Sequence, residues 1–377
     1  MKIFAFITSL LILWRAVYPL PVKWYWKVVI GMFFVVSAFK FHIFHLFGGP
    51  MYFAPELPRG LLLAGAWCFG VVFVFFFLLA LAELVRLPIY LVRRKKLPAN
   101  WCRNNNIING ALLGVSLLLT TAGIICGTAL PEVKEITLEI DGLPVEAEKL
   151  KFVLLSDLHA DKLTRRDTIR QIVERVNKLK PDYIFITGDF VDGRVSSCGV
   201  ELLPLKELFA EYGVYAVAGN HEYYSGFNEW CRFLEEKCNI RMLINDSLPI
   251  AGNLQLAGVA DDAGKLRKLP AADLDRALQN SEAGRPVILL AHRPAFAHIA
   301  AQKKDVILQL SGHTHGGMIY GIDAFVALAN GGFATGVHKV GKTVLYVSNG
   351  SGIWNGFPVR LGRNSEITLL RLKRSGK

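Results

Sequence analysis

The sequence has few cysteines, and none of them is spaced as a metal-binding pair. Six occur in 377 residues. No CxxC pair or Cys/His zinc pattern is found, which excludes the common structural zinc sites. Cys68 and Cys126 lie inside apolar runs. Cys198, Cys231 and Cys238 follow later in the chain, and a disulfide from Cys198 to either of the other two stays open.

Acidic residues are almost absent from the first 130 positions. Only Glu56 and Glu83 occur there, against 12 Lys and Arg, whereas the remainder holds 29 acidic and 31 basic residues. The formal net charge of +12 therefore divides into +10 and +2. A nucleic-acid-binding domain would concentrate its excess positive charge around its groove. Here the excess flanks apolar segments, so the basicity indicates membrane topology and argues against a nucleic-acid partner.

The same 130 residues are rich in long apolar runs. Each run is near or above the ~20 residues that cross a bilayer as a helix. The first run is interrupted by Arg15 and is also compatible with an uncleaved signal-like segment. We therefore predict an N-terminal α-helical transmembrane region over residues 1–130, with about four helices at roughly 3–20, 24–47, 61–92 and 107–130.

The charged residues between these runs predict their orientation, because short cytoplasmic loops collect Lys and Arg. The connection between the third and fourth runs holds Arg93, Arg94, Lys95, Lys96 and Arg103. We expect that loop to be cytoplasmic and the fourth helix to run outward. The remainder of the chain would then lie on the extracytoplasmic side of the cytoplasmic membrane.

After a linker and lead-in strand at 131–150, short apolar runs alternate with amphipathic stretches, as is typical of an α/β fold. Five of these runs predict buried strands, and each is followed by Asp, Asn or His. Open α/β sheets place their sites at the carboxyl ends of neighbouring strands, so we expect these side chains to meet. The predicted strands and the residues after them are 151–155 with Asp157 and His159, 183–187 with Asp189 and Asp192, 214–218 with Asn220, His221 and Glu222, 286–291 with His292, and 306–310 with His313 and His315.

The types of these residues match the needs of two metal ions. Five of the nine histidines stand at the strand ends, which chance placement does not explain. Two divalent cations about 3.5–4 Å apart need a bridging carboxylate, neutral imidazoles and further oxygen ligands. The sequence therefore predicts two divalent metal ions as cofactors, and the mixed nitrogen and oxygen ligands admit Mn, Zn or Fe.

The five motifs D-x-H, G-D-x-x-D, G-N-H-E, a lone His and G-H-x-H occur here in the order found in the calcineurin-like metallophosphoesterase superfamily. Residues 151–377 resemble that family, and the tail resembles its bacterial membrane-associated subgroup, with Met318 where Gln is usual. The resemblance implies a four-layer α/β/β/α sandwich of two facing sheets. It also implies a first metal on Asp157, His159 and His315, a second on Asn220, His292 and His313, and Asp189 bridging the two.

The reaction that the resemblance implies is hydrolysis of a phosphate ester by attack of a hydroxide held by the two metals. His221 matches the family's histidine that contacts the phosphate and protonates the leaving oxygen. Because a membrane anchor keeps the site near lipid headgroups, we expect a lipid-linked or envelope phosphate as substrate. Phosphodiesterase and phosphomonoesterase activity both stay open.

Two alternative functions stay open. One is a lipid pyrophosphate hydrolase of the nucleotide-diacylglucosamine type, although those enzymes work on cytosolic substrates and the expected orientation is outward. The other is a membrane sensor that binds metal without turnover. Around the site, Asp192 is expected to support a ligand or cap its loop, and Glu222 to begin a helix or form hydrogen bonds. Arg293 and Arg360 are either phosphate contacts or solvated surface charges.

Overall fold

The structure is a computed structural model that describes residues 2–48, 55, 57–93 and 101–376. The chain separates into two compact units. The first, here called the helical unit, is Met1–Cys126 with Gly356–Val359, and the second, the sheet unit, is Gly127–Asn355 with Arg360–Lys377. Arg94, Lys95 and Lys96, which carry much of the predicted orientation, lie outside the described residues.

Apolar helices make up the helical unit. The first helix ends at Ile12 and is followed directly by a π-helical turn, Leu13–Val17. Buried apolar side chains of the first, second and fourth helices form its core, in which the rings of Phe34 and Phe75 stack with centroids 5.8 Å apart. The helices are α1 (Lys2–Ile12), α2 (Trp24–Ala38), α3 (Lys40–His45), α4 (Arg59–Arg93) and α5 (Trp101–Thr128).

Two of the four predicted spans are continuous helices long enough to cross a membrane. Within the described residues, Arg59–Val92 and Asn105–Thr128 meet this test with 34 and 24 residues. The first run instead changes to the π-helical turn after 11 residues. The second is broken at Phe39, whose φ of −90° and ψ of 14° leave the helical range. The prediction of about four spanning helices is thus supported for the last two runs only.

Two six-stranded sheets form the sheet unit. Their orders are β1-β12-β2-β3-β4-β5 and β10-β11-β9-β8-β7-β6. β2 and β3 are parallel neighbours, as predicted. The strands are β1 (Glu132–Ile140), β2 (Lys151–Leu155), β3 (Tyr183–Ile186), β4 (Val214–Ala216), β5 (Arg241–Met242), β6 (Asp246–Ile250), β7 (Leu254–Gly258), β8 (Val287–Leu290), β9 (Val306–Ser311), β10 (Gly336–Val340), β11 (Thr343–Val347) and β12 (Glu366–Arg374).

Helices cover the outer faces of the two sheets. Short 3₁₀ turns occur at Val145–Lys149, Leu203–Glu207, Asp262–Arg267, Pro294–Phe296 and His315–Gly317. The α-helices are α6 (Arg166–Lys178), α7 (Val195–Leu202), α8 (Asn220–Ser225), α9 (Phe227–Cys238), α10 (Leu274–Leu278), α11 (Ala297–Ala300) and α12 (Asp323–Ala329).

The packing of these elements is a layered α/β sandwich. One core cluster joins the inner faces of both sheets, with Phe152 and Leu154 of β2 and Leu308 of β9 among its members. A second cluster lies under α6, α7 and α9, and a third under α10 and α11. α6 buries Ile169, Ile172, Val173 and Val176, whose i, i+3, i+4, i+7 spacing forms one helix face. The predicted α/β sandwich of two sheets is confirmed.

The segment predicted as linker and lead-in strand contains β1. Nine residues of β1, Glu132–Ile140, pair in parallel with the nine residues of β12, Glu366–Arg374. β12 in turn pairs antiparallel with β2, so the last strand in chain order lies between the first two. Cys198, Cys231 and Cys238 are free thiols, so the disulfide that the sequence left open is not formed.

Candidate metal centre

The carboxyl ends of five strands converge on one buried site. β2, β3 and β4 contribute from one sheet, and β8 and β9 from the other. All the predicted site residues follow these strands within a few positions: most lie in short loops, Asn220 and His221 begin α8, and His315 begins a 3₁₀ turn. Seven of them are nearly inaccessible to solvent, namely Asp157, His159, Asp189, Asn220, His221, His292 and His315. The eighth, His313, is bound to the site through its backbone, whose N–H donates to Asp157 Oδ1 at 3.0 Å.

Three overlapping groups of acid and histidine atoms in this site are each close enough to surround one cation. They are Asp157–His159–His315, His159–Asp189–His221 and Asp189–His292–His313, and within each group the donor atoms lie within 4.8 Å of one another. Asp189 belongs to two of them. One Asp189 oxygen, Oδ2, is 3.2 Å from His292 Nε2 and 3.9 Å from His159 Nε2. This carboxylate therefore lies close to histidines of two different donor groups.

The ring nitrogens of the histidines face one another in pairs. His159 Nε2 is 3.0 Å from His315 Nε2, and His292 Nε2 is 3.1 Å from His313 Nδ1. Asn220 Oδ1 is 3.2 Å from the same His292 nitrogen. Nitrogen atoms at such separations, directed at a common point, are a good fit for neighbouring ligands of one cation, because metal–nitrogen bonds are about 2.0–2.1 Å long.

The backbone at the strand ends adopts an unusual conformation. Asp157, His159, Asp189, His313 and His315 all have positive φ, between 46° and 72°. For residues other than glycine the left-handed region costs of order 1–3 kcal/mol, and such residues cluster at functional sites. The sharp turns bring the side chains back toward the strand ends. Five strained residues in one place indicate that the sequence gives up local stability to position these side chains.

Hydrogen-bonding partners behind the site fix the orientation of several rings. Asp192 Oδ1 is 2.9 Å from His159 Nδ1 and 2.5 Å from His221 Nδ1. His292 Nδ1 donates to the carbonyl of Thr187 at 2.7 Å, which leaves Nε2 to face Asp189. Partners of this kind are usual behind metal-binding histidines, whose tautomer they set. Asp192 thus supports His159, as expected, and supports His221 as well.

Glu222 holds the first sheet's loops together. Its carboxylate accepts hydrogen bonds from the backbone N–H groups of Gly219 at 2.7 Å, Asp189 at 3.0 Å and Phe190 at 2.7 Å. Burial, and then the charge of Asp189, raise the pKa of Glu222 to about 7. The prediction of a hydrogen-bonding role is confirmed, and the contacts show that this residue joins the loop after β3 to that after β4.

Two arginines differ from the expectation for surface charges. Arg360 is completely buried. Its Nη2 is 3.2 Å from His315 Nδ1 and donates to the Gly352 carbonyl at 3.1 Å. The interpretation as a solvated charge is wrong for this residue, because backbone carbonyls replace water around its guanidinium. Arg293 is half-buried and pairs with Asp261, Nε to Oδ2, at 2.8 Å.

Arg293 and Asp261 extend the site beyond the predicted residues. Arg293 also approaches Asn220 Oδ1 and His313 Nε2, each at 3.2 Å. Both members of the pair line a cavity of about 180 Å³ that includes His292. Sequence reasoning missed Asp261, although one signal was present: it follows β7 by three residues, so it is a further acid after a buried strand.

Burial and neighbouring charges shift the pKa values of the site histidines in opposite directions. Burial lowers the pKa of His159 and His292, but the charges of Asp192 and Asp189 outweigh it and raise these values to about 9 and about 10. Burial lowers the pKa of both His313 and His315 well below the usual value for histidine. The next largest cause is the positive charge of a neighbouring histidine, which is His292 for His313 and His159 for His315. The imidazoles of His313 and His315 are therefore neutral at pH 7, the form that binds metals. Burial raises the pKa of Asp189, but the charges of His221 and His292 outweigh it and hold that pKa well below its usual range. A buried carboxylate is thus kept ionised between histidines.

Comparison with known proteins agrees with the fold and site. Residues 150–317 match the family model described as calcineurin-like phosphoesterase. The chain is 37% identical over 274 residues to an uncharacterized metallophosphoesterase of Helicobacter pylori, with 72% of each chain covered. It is 36% identical over 264 residues to one of Campylobacter jejuni, covering 70% of this chain and 69% of that protein.

A vertebrate relative is named as a transmembrane protein that contains a domain of the same family. It is a transmembrane protein with metallophosphoesterase domain from Danio rerio, 31% identical over 329 residues, which are 84% of this chain and 75% of that one. The fold and site define a metal-dependent phosphoesterase. The chain belongs to the calcineurin-like metallophosphoesterase family.

Proposed function

We propose that this protein hydrolyses a lipid-linked or envelope phosphate ester at the outer face of the cytoplasmic membrane, using two divalent metal ions. The observation that carries the catalytic part is the set of three overlapping donor groups linked through His159 and Asp189. The proposed metal ligands are Asp157, His159, Asp189, Asn220, His292, His313 and His315.

The donor set fits divalent cations. It combines carboxylates with imidazoles and one amide oxygen, which Mn, Zn and Fe all accept. When bound, such cations lower the pKa of water and neutralise charge on phosphoryl oxygens. The chain's own residues position the proposed proton donor, His221. Asp192 orients its ring, and its Nε2 faces the site, 3.7 Å from Asp189 Oδ2.

His221 is the proposed proton donor to the leaving oxygen. The hydrogen bond from its Nδ1 to Asp192 Oδ1, at 2.5 Å, fixes the orientation of the ring and leaves Nε2 toward the site. Arg293, whose guanidinium adjoins Asn220 and His313, is placed to contact a phosphate oxygen. Its planar group has several N–H donors, and Asp261 occupies only part of them.

The membrane part of the proposal rests on the helices. α4 and α5 have the length and apolarity to span a bilayer, and we propose that the first two apolar runs complete a four-helix anchor. α5 ends at Thr128 and β1 begins at Glu132, so the sheet unit follows the last span almost directly. A catalytic unit tethered this closely favours substrates that are themselves held in the membrane.

The test is hydrolysis by the full-length protein, purified in detergent and loaded with Mn²⁺. We expect cleavage of bis(p-nitrophenyl) phosphate, loss of activity after EDTA, and recovery with Mn²⁺. In mixed micelles, one lipid among phosphomonoesters, phosphodiesters and pyrophosphates should be cleaved faster than the aryl ester. If none is, the substrate class is wrong while the reaction class stands. Cleavage of pyrophosphates alone would favour the pyrophosphate hydrolase.

A second experiment tests the orientation of the catalytic unit. Alkaline phosphatase fused after Arg374 should be active in cells, and green fluorescent protein at the same position should be dark, because the first folds only outside the cytoplasm and the second fluoresces within it. Fusions after Lys96 should give the opposite pair of signals, since basic loops are retained inside. A fluorescent fusion after Arg374 would place the catalytic unit in the cytoplasm and overturn this part of the proposal.

A further inference from the structure

An apolar cavity of about 420 Å³ lies inside the helical unit. It is within the size range of small-ligand sites. Side chains of four segments surround it: the π-helical turn, α2, α4 and α5. Most of its lining is apolar and includes Val17, Phe33, Phe75 and Leu113. The polar part of the lining is formed by Asn106 and Asn109.

A charged cluster stands directly behind this polar part of the lining. Arg86 Nη1 donates to Asn109 Oδ1 at 2.7 Å and to Glu83 Oε1 at 3.0 Å. Arg15 Nη2 pairs with Glu83 Oε2 at 2.7 Å, and Asn109 Nδ2 donates to the Arg15 carbonyl at 2.8 Å. Intramembrane ionisable residues are costly and usually mark a binding or transport function.

The cluster has one positive charge more than it can neutralise. It contains two guanidinium groups and one carboxylate. Glu83 is the only acid among the residues of the helical unit that the structure describes. No second carboxylate of these residues therefore balances the other arginine.

Donor and acceptor atoms in the cluster are also left without partners. Arg86 is only 6% exposed, yet among the residues that the structure describes its Nη2 has no hydrogen-bond partner, and the same holds for Arg15 Nε and Asn106 Oδ1. Buried polar atoms of this kind cost about 1–3 kcal/mol each unless a partner arrives. An anionic group with acceptor oxygens would satisfy both guanidinium groups, and a hydroxyl beside it would satisfy Asn106.

We propose that the helical unit binds one anionic membrane phospholipid, with an acyl chain in the cavity and the headgroup phosphate at Arg15 and Arg86. An apolar cavity that ends at an unneutralised guanidinium pair matches an amphiphile with one long apolar chain and an anionic head. A zwitterionic lipid would also place phosphate oxygens near the guanidinium groups, but its own cation would leave the net charge of the cluster unbalanced. This binding does not depend on the proposed hydrolysis.

The test uses native mass spectrometry of the delipidated full-length protein in detergent, mixed with phosphatidylglycerol or phosphatidylcholine of identical acyl chains. We expect about tenfold more bound phosphatidylglycerol, the ratio that a difference of ~1.4 kcal/mol from charge-assisted hydrogen bonds produces. Arg86→Gln should remove this preference. Excess inorganic phosphate should leave the adduct in place, since it lacks the chain. Equal binding of the two lipids by the wild type would overturn the proposal.

A matched pair of glycine variants tests the cavity itself. Gly110 lines it, whereas Gly114 lies one turn further along α5 and does not. A Cβ at either position meets no atom within 4 Å, so Leu is sterically acceptable at both. Gly110→Leu should occupy part of the cavity and lower phosphatidylglycerol binding at least tenfold, while Gly114→Leu should bind as the wild type does. Equal loss in both variants, or none in Gly110→Leu, would contradict the site.

Hydrolysis of bis(p-nitrophenyl) phosphate by the same preparations separates this inference from the proposed function. We expect Gly110→Leu to retain wild-type hydrolysis, because the substituted residue lies in the helical unit and outside the metal centre. Loss of lipid binding with full activity would support a separate lipid site. An inactive wild type that still selects phosphatidylglycerol would sink the proposed function and leave the lipid site intact.

Discussion

Replacing Asp189 by Asn should abolish hydrolysis almost completely and lower the metal content of the protein. Asp189 is the one acid shared by two of the donor groups, and the amide supplies one neutral oxygen in place of two charged ones. Loss of an outer partner of a metal ligand typically costs 10–100-fold; for this residue we expect a loss of ~10³-fold or more in kcat/KM, since under the proposed function it is the ligand shared by two cations.

Initial rates and elemental analysis on the same preparation provide the measurement. Asp167→Asn is the matched control, because its carboxylate is on the surface of α6 with 87% of its side chain exposed. That variant should keep wild-type rate and metal. An Asp189→Asn protein with full metal content and a rate within tenfold of the wild type would show that this carboxylate does not join two cations.

Replacing His221 by Ala should lower kcat about 10²–10⁴-fold, the usual contribution of a positioned general acid, while metal content stays unchanged. The loss should depend on the leaving group. An alkyl phosphate, whose alkoxide needs a proton to depart, should lose far more than a p-nitrophenyl phosphate, whose phenolate leaves unaided. His298→Ala, at a histidine that contacts the carbonyl of Gly331, is the control.

The leaving-group series separates two roles that the geometry allows for His221. Its ring belongs to one of the donor groups, with His159 and Asp189, so a metal-ligand role is the competing hypothesis. A ligand role would lower the metal content and reduce both substrates by the same factor. A proton-donor role keeps the metal and gives unequal factors. Equal factors with lost metal would therefore remove His221 from the catalytic assignment.

Local chemistry made much of this site predictable from the sequence. A buried strand followed within a few residues by Asp or His is visible in the sequence, because burial requires apolar runs and metal ligands require these side chains. β2 was predicted over the range that the structure shows, and β3 and β9 within one residue at their carboxyl ends. The polar residues after these strands meet because parallel neighbours end at the same edge.

Long-range packing was not predictable in the same way. The sequence around Arg360 looks like an exposed loop, and only the folded chain surrounds its guanidinium with the carbonyls of Gly352 and His315. The same applies to the pairing of Arg293 with Asp261, 32 residues apart. Such contacts depend on how loops from separate strands pack, and neither hydrophobic period nor motif spacing contains that information.

The membrane region shows the complementary limit. Hydropathy predicted the extent of the apolar runs, since spanning requires a minimum length of apolar helix. It did not predict where the backbone would leave the helix, as at Phe39. Nor did it predict that Arg15, 71 residues before Arg86, would share the carboxylate of Glu83 with it. These features arise from the packing of helices against one another.

The position of β12 has a consequence for how the protein is made. β1 emerges from the ribosome directly after α5, but its pairing partner spans Glu366–Arg374 and is synthesised after every other strand. Throughout translation β1 therefore keeps an unpaired edge while the preceding helices are inserted. A chain that stops before Glu366 would lose more than a terminal strand: it would detach β1 from its sheet and leave β2 as a new edge, open to pairing with another chain.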